Sequence, residues 1–196
     1  MSVSSSLPSS EASAQYRQWA FVETRLNDEF HRIRWSVFES ASLAQVDSDE
    51  ESPYPAASPL LSHPIASLPA TELPITEIAI SIEDLDNYEA YDYVDDESAP
   101  DPVHVRRADG GVVTILDVVE QLSPYLITNK DAILEVKAPM IAGTHETVDG
   151  MHVQGIPAHD GSRPPEGTKV WFDGFFGRVQ VGTHSVPVCL VADGED

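Results

Sequence analysis

Three histidines, His145, His152 and His159, recur at seven-residue intervals with Glu146, Asp149 and Asp160 beside them. Imidazole nitrogens and carboxylate oxygens are the donors that zinc or non-haem iron takes. Ligands that share an ion usually sit close together on one element, whereas these three span turns around Gly143, Gly150, Gly155 and Gly161. The spacing favours separate loop histidines over a common metal centre, and no cofactor is expected. Nucleophilic catalysis has less to stand on. Cys189 lies in an apolar run with no basic neighbour, the setting of a buried, inert thiol. No serine falls in G-x-S-x-G or S-x-x-K. Gly110-Gly111 is too short for a phosphate-cradling loop and lacks the Lys-Ser/Thr that would follow one. Asp117 and Glu120, at i,i+3 spacing, mark a solvated helix face rather than an acid/base pair.

Candidate binding residues are better represented. Trp171-Phe172-Asp173-Gly174-Phe175-Phe176 places four aromatics around a DG turn. Read as a hairpin, it sets Trp171 and Phe176 on one face and Phe172 and Phe175 on the other, one pair in the core and one pair a contact patch. Arg178 follows, and with Arg106, Arg107 and Arg163 it is among the few cations available to a ligand carboxylate or phosphate. Ile78, Ile80 and Ile82 alternate with Ala79 and Ser81, and acidic residues interleaved with Tyr88 and Tyr91 come next. That stretch reads equally as a linear motif that adds a strand to a partner's sheet edge or as the first strand of the domain that follows. Ser48, ahead of Asp49, Glu50 and Glu51, has the surroundings an acid-directed kinase accepts.

The elements that position these residues follow from pattern. Residues 1–10 are a serine-rich tail. Over 11–45 there is no Pro or Gly, and Trp19, Val22, Leu26, Phe30, Ile33 and Val37 form one helical stripe. An amphipathic helix is expected there, packed on its own domain, docked in a partner's groove or, through 15–40, self-associating. Residues 46–75 carry prolines at 53, 55, 59, 64, 69 and 74 and read as a disordered acidic, Pro-rich linker. Residues 76–98 are the acidic-aromatic segment. From 99 to 196 an α+β domain is expected, with a hairpin at Asp109-Gly110-Gly111 returning through Val112-Val113, then a helix from Ile115 opened by a Thr114/Asp117 capping box. Pro124 ends or kinks that helix, and 129–141 suits either strand or helix. Residues 169–181 form a second DG hairpin, giving a module of two β-hairpins with one or two helices.

Charge and composition bound what such a chain can do. Among 196 residues, 33 Asp and Glu outweigh 11 Lys and Arg for a net charge of −22. Residues 1–100 carry −15 of it, and all 11 glycines lie after residue 109. Direct nucleic-acid binding and an anionic-lipid surface are disfavoured, because both need a basic face. No run is apolar enough to span a membrane, and the first residues lack the pattern of a secretory signal. A single cysteine fits a reducing compartment, cytoplasm or nucleus. The expectation is a soluble, non-enzymatic interaction or regulatory protein whose protein partner offers a basic or apolar groove. The rival is a small enzyme or metal-dependent accessory protein using His104 or the three loop histidines. A third reading is an acidic mimic of nucleic acid that occupies a basic surface.

Overall fold

The computed structural model describes residues 23–48, 57–86, 100–141, 147–148, 151–152, 165–180 and 184–193. Strands in chain order are β1 (Glu23–Thr24), β2 (Ile33–Arg34), β3 (Gln45–Val46), β4 (Ser58–Pro59), β5 (Glu77–Ile82), β6 (Val103–Arg106), β7 (Thr147–Val148), β8 (Met151–His152), β9 (Val170–Phe175), β10 (Val179–Gln180) and β11 (Val186–Ala192). The helices are α1 (Glu83–Asp86), α2 (Ile115–Thr128) and α3 (Lys130–Ile141). Helices and sheets are mixed, as the α+β class requires. The main sheet has the order β6-β5-β11-β9, with β5 and β11 parallel and both outer pairs antiparallel. Three smaller sheets pair β1 with β10, β2 with β3 and β4, and β7 with β8.

Ile78, Ile80 and Ile82 all face inward from β5, and each is essentially inaccessible to solvent. Burial of one such side chain contributes about 1.5–3 kcal/mol. This is the strand reading of residues 76–82, and as central core residues the three cannot also add to a partner's sheet. Opposite them lie Ile115, Val118, Val119, Leu122 and Leu126 of α2, with Ile133 and Val136 of α3. Thr114 opens α2 as its sequence indicates: its Oγ1 accepts from Asp117 N at 3.2 Å, and Asp117 Oδ2 accepts from Thr114 N at 2.8 Å. Helix α2 runs past Pro124, whose ring is exposed. The helical N–H it removes is the one that would reach the carbonyl of Glu120, an exposed residue. Residues 130–141 resolve as helix, because Ile133 and Val136 meet the core and the ammonium of Lys137 reaches the Leu190 carbonyl at 2.5 Å.

Four expectations change. Residues 23–46, the described part of the expected amphipathic helix, form β1, β2, β3 and 3₁₀ turns at Asp28–Arg32 and Ala41–Leu43. The helical stripe competes with an alternation at Ile33, Trp35 and Val37, all three buried. Pairing with a distant strand decides the contest: Val37 N donates to Val170 O at 2.9 Å and Phe172 N to Trp35 O at 3.0 Å. Residues 11–22 lie outside the described residues.

Residues 57–75 are packed rather than a free linker. Leu60, Ile65, Ala66 and Ala70 are buried in the same hydrophobic cluster as β5 and α2. The prolines are compatible with this, since Pro64 opens the 3₁₀ turn Pro64–Ser67 and Pro59 precedes the turn Leu60–Ser62. One cluster thus joins Phe30 to Ala192, and the boundary expected at residue 99 does not divide the core.

Neither of the hairpins expected at Asp109-Gly110 and Asp173-Gly174 forms. After β6 the chain turns at Asp109, whose carboxyl is held down at about 2 by the Arg107 guanidinium and the Gly111 N–H. Val113 then pairs with the earlier segment, accepting from Ala70 N and donating to Ile75 O, each at 2.9 Å. Asp173-Gly174 sits inside β9. Phe175 registers with Val188 and Phe172 with Leu190, so β9 carries one extra residue there, a bulge with Gly174 at φ 98°. Strand β10 pairs with β1 instead: Glu23 with Gln180 and Thr24 with Val179.

Candidate functional site

The bulge orders the aromatics. It returns Phe175 to the inward side with Phe172, and their rings meet at 5.3 Å. Phe30 packs edge-on to Phe175 at 5.0 Å and lies 6.2 Å from Phe172, while Trp35 is 6.4 Å from Phe172. Phe172 is buried and Phe175 partly so. Trp171 and Phe176 are the outward pair. Trp171 is half-buried and Phe176, just past the strand, is 67% exposed.

Trp171 is fixed by its indole N–H, which donates to Asp193 Oδ1 at 2.7 Å. The Arg34 guanidinium and the Lys169 ammonium stand over its ring at 5.5 and 5.4 Å, within cation–π range. Val191, 37% exposed, registers directly with Trp171 across the β9–β11 pair. Cys189 and Pro187 occupy the next outward positions along β11, both partly exposed, and Phe176 N donates to the Pro187 carbonyl at 2.9 Å. These five side chains make an apolar strip on the outer face of the sheet. The Cys189 thiol donates to Glu83 Oε2 at 2.9 Å. Burial, then that bond and the surrounding carboxylates, push its pKa up to about 12, so it is protonated and a poor nucleophile near neutrality.

A second feature lies at the β1–β10 pair. A cleft of about 470 Å³ opens there, with Phe30 and Phe175 among its lining residues. Arg25, Arg178, His31, Asp28 and Asp173 supply its charged and titratable groups. The ladder ends at Thr24 and Val179; beyond it the Arg25 carbonyl accepts from Glu72 N at 2.9 Å, and Arg25 and Arg178 both line the cleft. Arg178 makes a long, half-exposed contact to Glu23 at 3.4 Å. Sequence reasoning singled out Phe175 and Arg178 but missed Arg25, Asp28 and Asp173. Only the pairing of β1 with β10 unites them, and nothing local announces that pairing.

The remaining candidates are scattered. His104 is exposed on β6 and pairs with Glu77 at 2.8 Å, far from both features in the sheet. Ser48 is partly exposed, and the acidic residues after it lie outside the described residues. Tyr88, Tyr91, His145 and His159 also lie outside them, as does the side chain of His152, whose backbone belongs to β8. Among the described residues no three His, Cys, Asp or Glu side chains are placed to hold a metal ion, and no helix is long and apolar enough to cross a membrane. Compared with known protein families, curated proteins and solved structures, the chain finds no match.

Proposed function

We propose that this chain is a non-enzymatic interaction protein that holds a protein partner against the outer face of β9 and β11. The observation that carries the reading is the apolar strip Trp171–Val191–Cys189–Pro187–Phe176, whose ends are aromatics of the kind that anchor interfaces. The partner's complement is an apolar groove. The chain's net charge of −22 speeds encounter with cationic surfaces and repels anionic ones, while Arg34 and Lys169 make the Trp171 end of the strip locally cationic.

Contact through side chains rather than strand addition follows from how the main sheet ends. At β6, the Gln121 side chain accepts from Arg106 N at 3.2 Å and donates to Arg106 O at 3.1 Å, filling the place of a neighbouring strand. At β9, residues 35–37 occupy the outer edge. The test uses the full chain as bait for affinity mass spectrometry beside Phe176→Ala and Val191→Thr, two exposed positions whose replacement leaves the core intact. Hot-spot truncation costs about 2 kcal/mol or more, roughly thirtyfold in affinity. A specific partner should be lost from the Phe176→Ala sample, with the melting temperature within a few degrees of the parent. Equal recovery by all three baits would overturn the assignment.

A further inference from the structure

We infer that the outer strip of β9 and β11 takes its protein partner in one orientation, receiving an apolar segment with an acidic side chain over Trp171 and a basic side chain over Cys189. The inference rests on the interaction reading above and adds the chemistry of the segment that fits. The Trp171 end is cationic, with Arg34 and Lys169 over the ring at 5.5 and 5.4 Å. Asp193 is committed to the indole N–H, and Glu39 lies 3.4 Å from Lys169. Asp47 lines the same shallow hollow as Arg34 and Trp171. Arg34 is exposed and has no ion-pair partner among the described residues. A guanidinium held beside an aromatic ring presents a planar fork of donors suited to a carboxylate.

Two residues along, the sign reverses. Asp173 is two residues from Trp171 on β9 and Cys189 is two from Val191 on β11, a step of about 7 Å on each strand. Glu83 reaches the same place from α1, its Oε2 2.9 Å from the Cys189 sulfur. Neither Asp173 nor Glu83 has an ion-pair partner among the described residues. The Cys189 pKa carries the same signature: it is raised first by burial, then by Glu83, Asp173 and Asp84, whose charges favour the neutral thiol. An apolar strip with cations at one end and carboxylates at the other is complementary to a segment of opposite order. Exposed charges of this kind add little affinity; they set register, because the reversed pose brings like charges together. An acid and a base about 6–7 Å apart stand two residues apart on a strand or four apart on a helix.

A library of random displayed peptides, panned on the immobilised full chain, tests the chemistry without the natural partner. Enriched sequences should combine aliphatic or aromatic residues with one acidic and one basic residue. Arg34→Glu should turn the selection against the acid, and Asp173→Lys against the base. A peptide selected on the parent should bind each variant about three- to tenfold more weakly, the scale of one exposed pair turned into a like-charge contact. Asp173→Asn, a smaller change, should lose the preference for a base without reversing it, and all three variants should melt within a few degrees of the parent. Peptides without the paired charges, the same peptides on every bait, or no enrichment would each overturn the orientation. Phe176→Ala and Val191→Thr separate the two readings. Peptides that need both side chains yet ignore the charge reversals would remove this inference and leave the strip as the interaction surface. Selected peptides indifferent to both side chains would remove the strip itself.

Discussion

The ammonium of Lys137, 3% exposed, lies 2.8 Å from Asp84 Oδ1 and donates to the Leu190 carbonyl, tying α3 to α1 and to the end of β11. Removing one partner of a buried pair strands the other charge, so Lys137→Met should destabilise the fold by about 3–5 kcal/mol in urea unfolding. Restoring balance with Asp84→Leu in the same chain should recover much of that loss. A double variant no better than the single would show that the pair is not coupled.

Thr114 closes the first turn of α2 through its reciprocal bonds with Asp117. Thr114→Ala should lower stability by about 1 kcal/mol, and Thr114→Ser should retain most of it. Chemical denaturation with an unchanged m-value is the measurement.

Gly174 holds the β9 bulge at φ 98°, where a side chain is strained although the space is open. Gly174→Ala should cost about 1–3 kcal/mol, through backbone strain alone. Because the bulge also turns Phe175 back beside Phe172, near-ultraviolet circular dichroism should change along with stability. A neutral Gly174→Ala would mean that the bulge is not what orders these rings.

Cys189 should react slowly with a disulfide reagent at pH 8 in the folded chain and rapidly in urea, because its pKa is raised to about 12 by burial and then by the bond to Glu83. The linkage has a definite sign. A thiol whose folded pKa lies above its ordinary value near 9 favours the fold while protonated, and that contribution fades as pH rises from about 9 toward 12. Glu83→Gln should lower the pKa and speed the folded-state reaction.

Local signals were the readable ones. The Thr114-x-x-Asp117 pair, the apolar stripe that begins at Ile115 and the alternation of Ile78, Ile80 and Ile82 each encode their element within a few residues. Asp173-Gly174 suggests a hairpin turn and forms a bulge, since both demand the same glycine. Residues 23–46 misled because Leu26, Phe30, Ile33 and Val37 satisfy a helical period, while Ile33, Trp35 and Val37 satisfy a strand period. The choice between them is made by β9, which no window on the first fifty residues contains. Of the aromatics, the grouping of Trp171 with Phe176 and of Phe172 with Phe175 was legible, but not which pair faces outward. The meeting of Arg25 and Arg178 at one cleft was not legible, because it depends on a ladder between segments at opposite ends of the chain.

The bonds that seat Val37 on Val170 and Trp35 on Phe172 also bear on synthesis. As the chain leaves the ribosome, Phe30, Trp35 and Val37 emerge long before the strand that will cover them. Their apolar side chains must wait, unshielded, until β9 and β11 have been translated. Nascent protein is then most exposed to chaperones and to premature association through its leading segment, and a transcript truncated ahead of β9 would leave that segment with nothing to close upon.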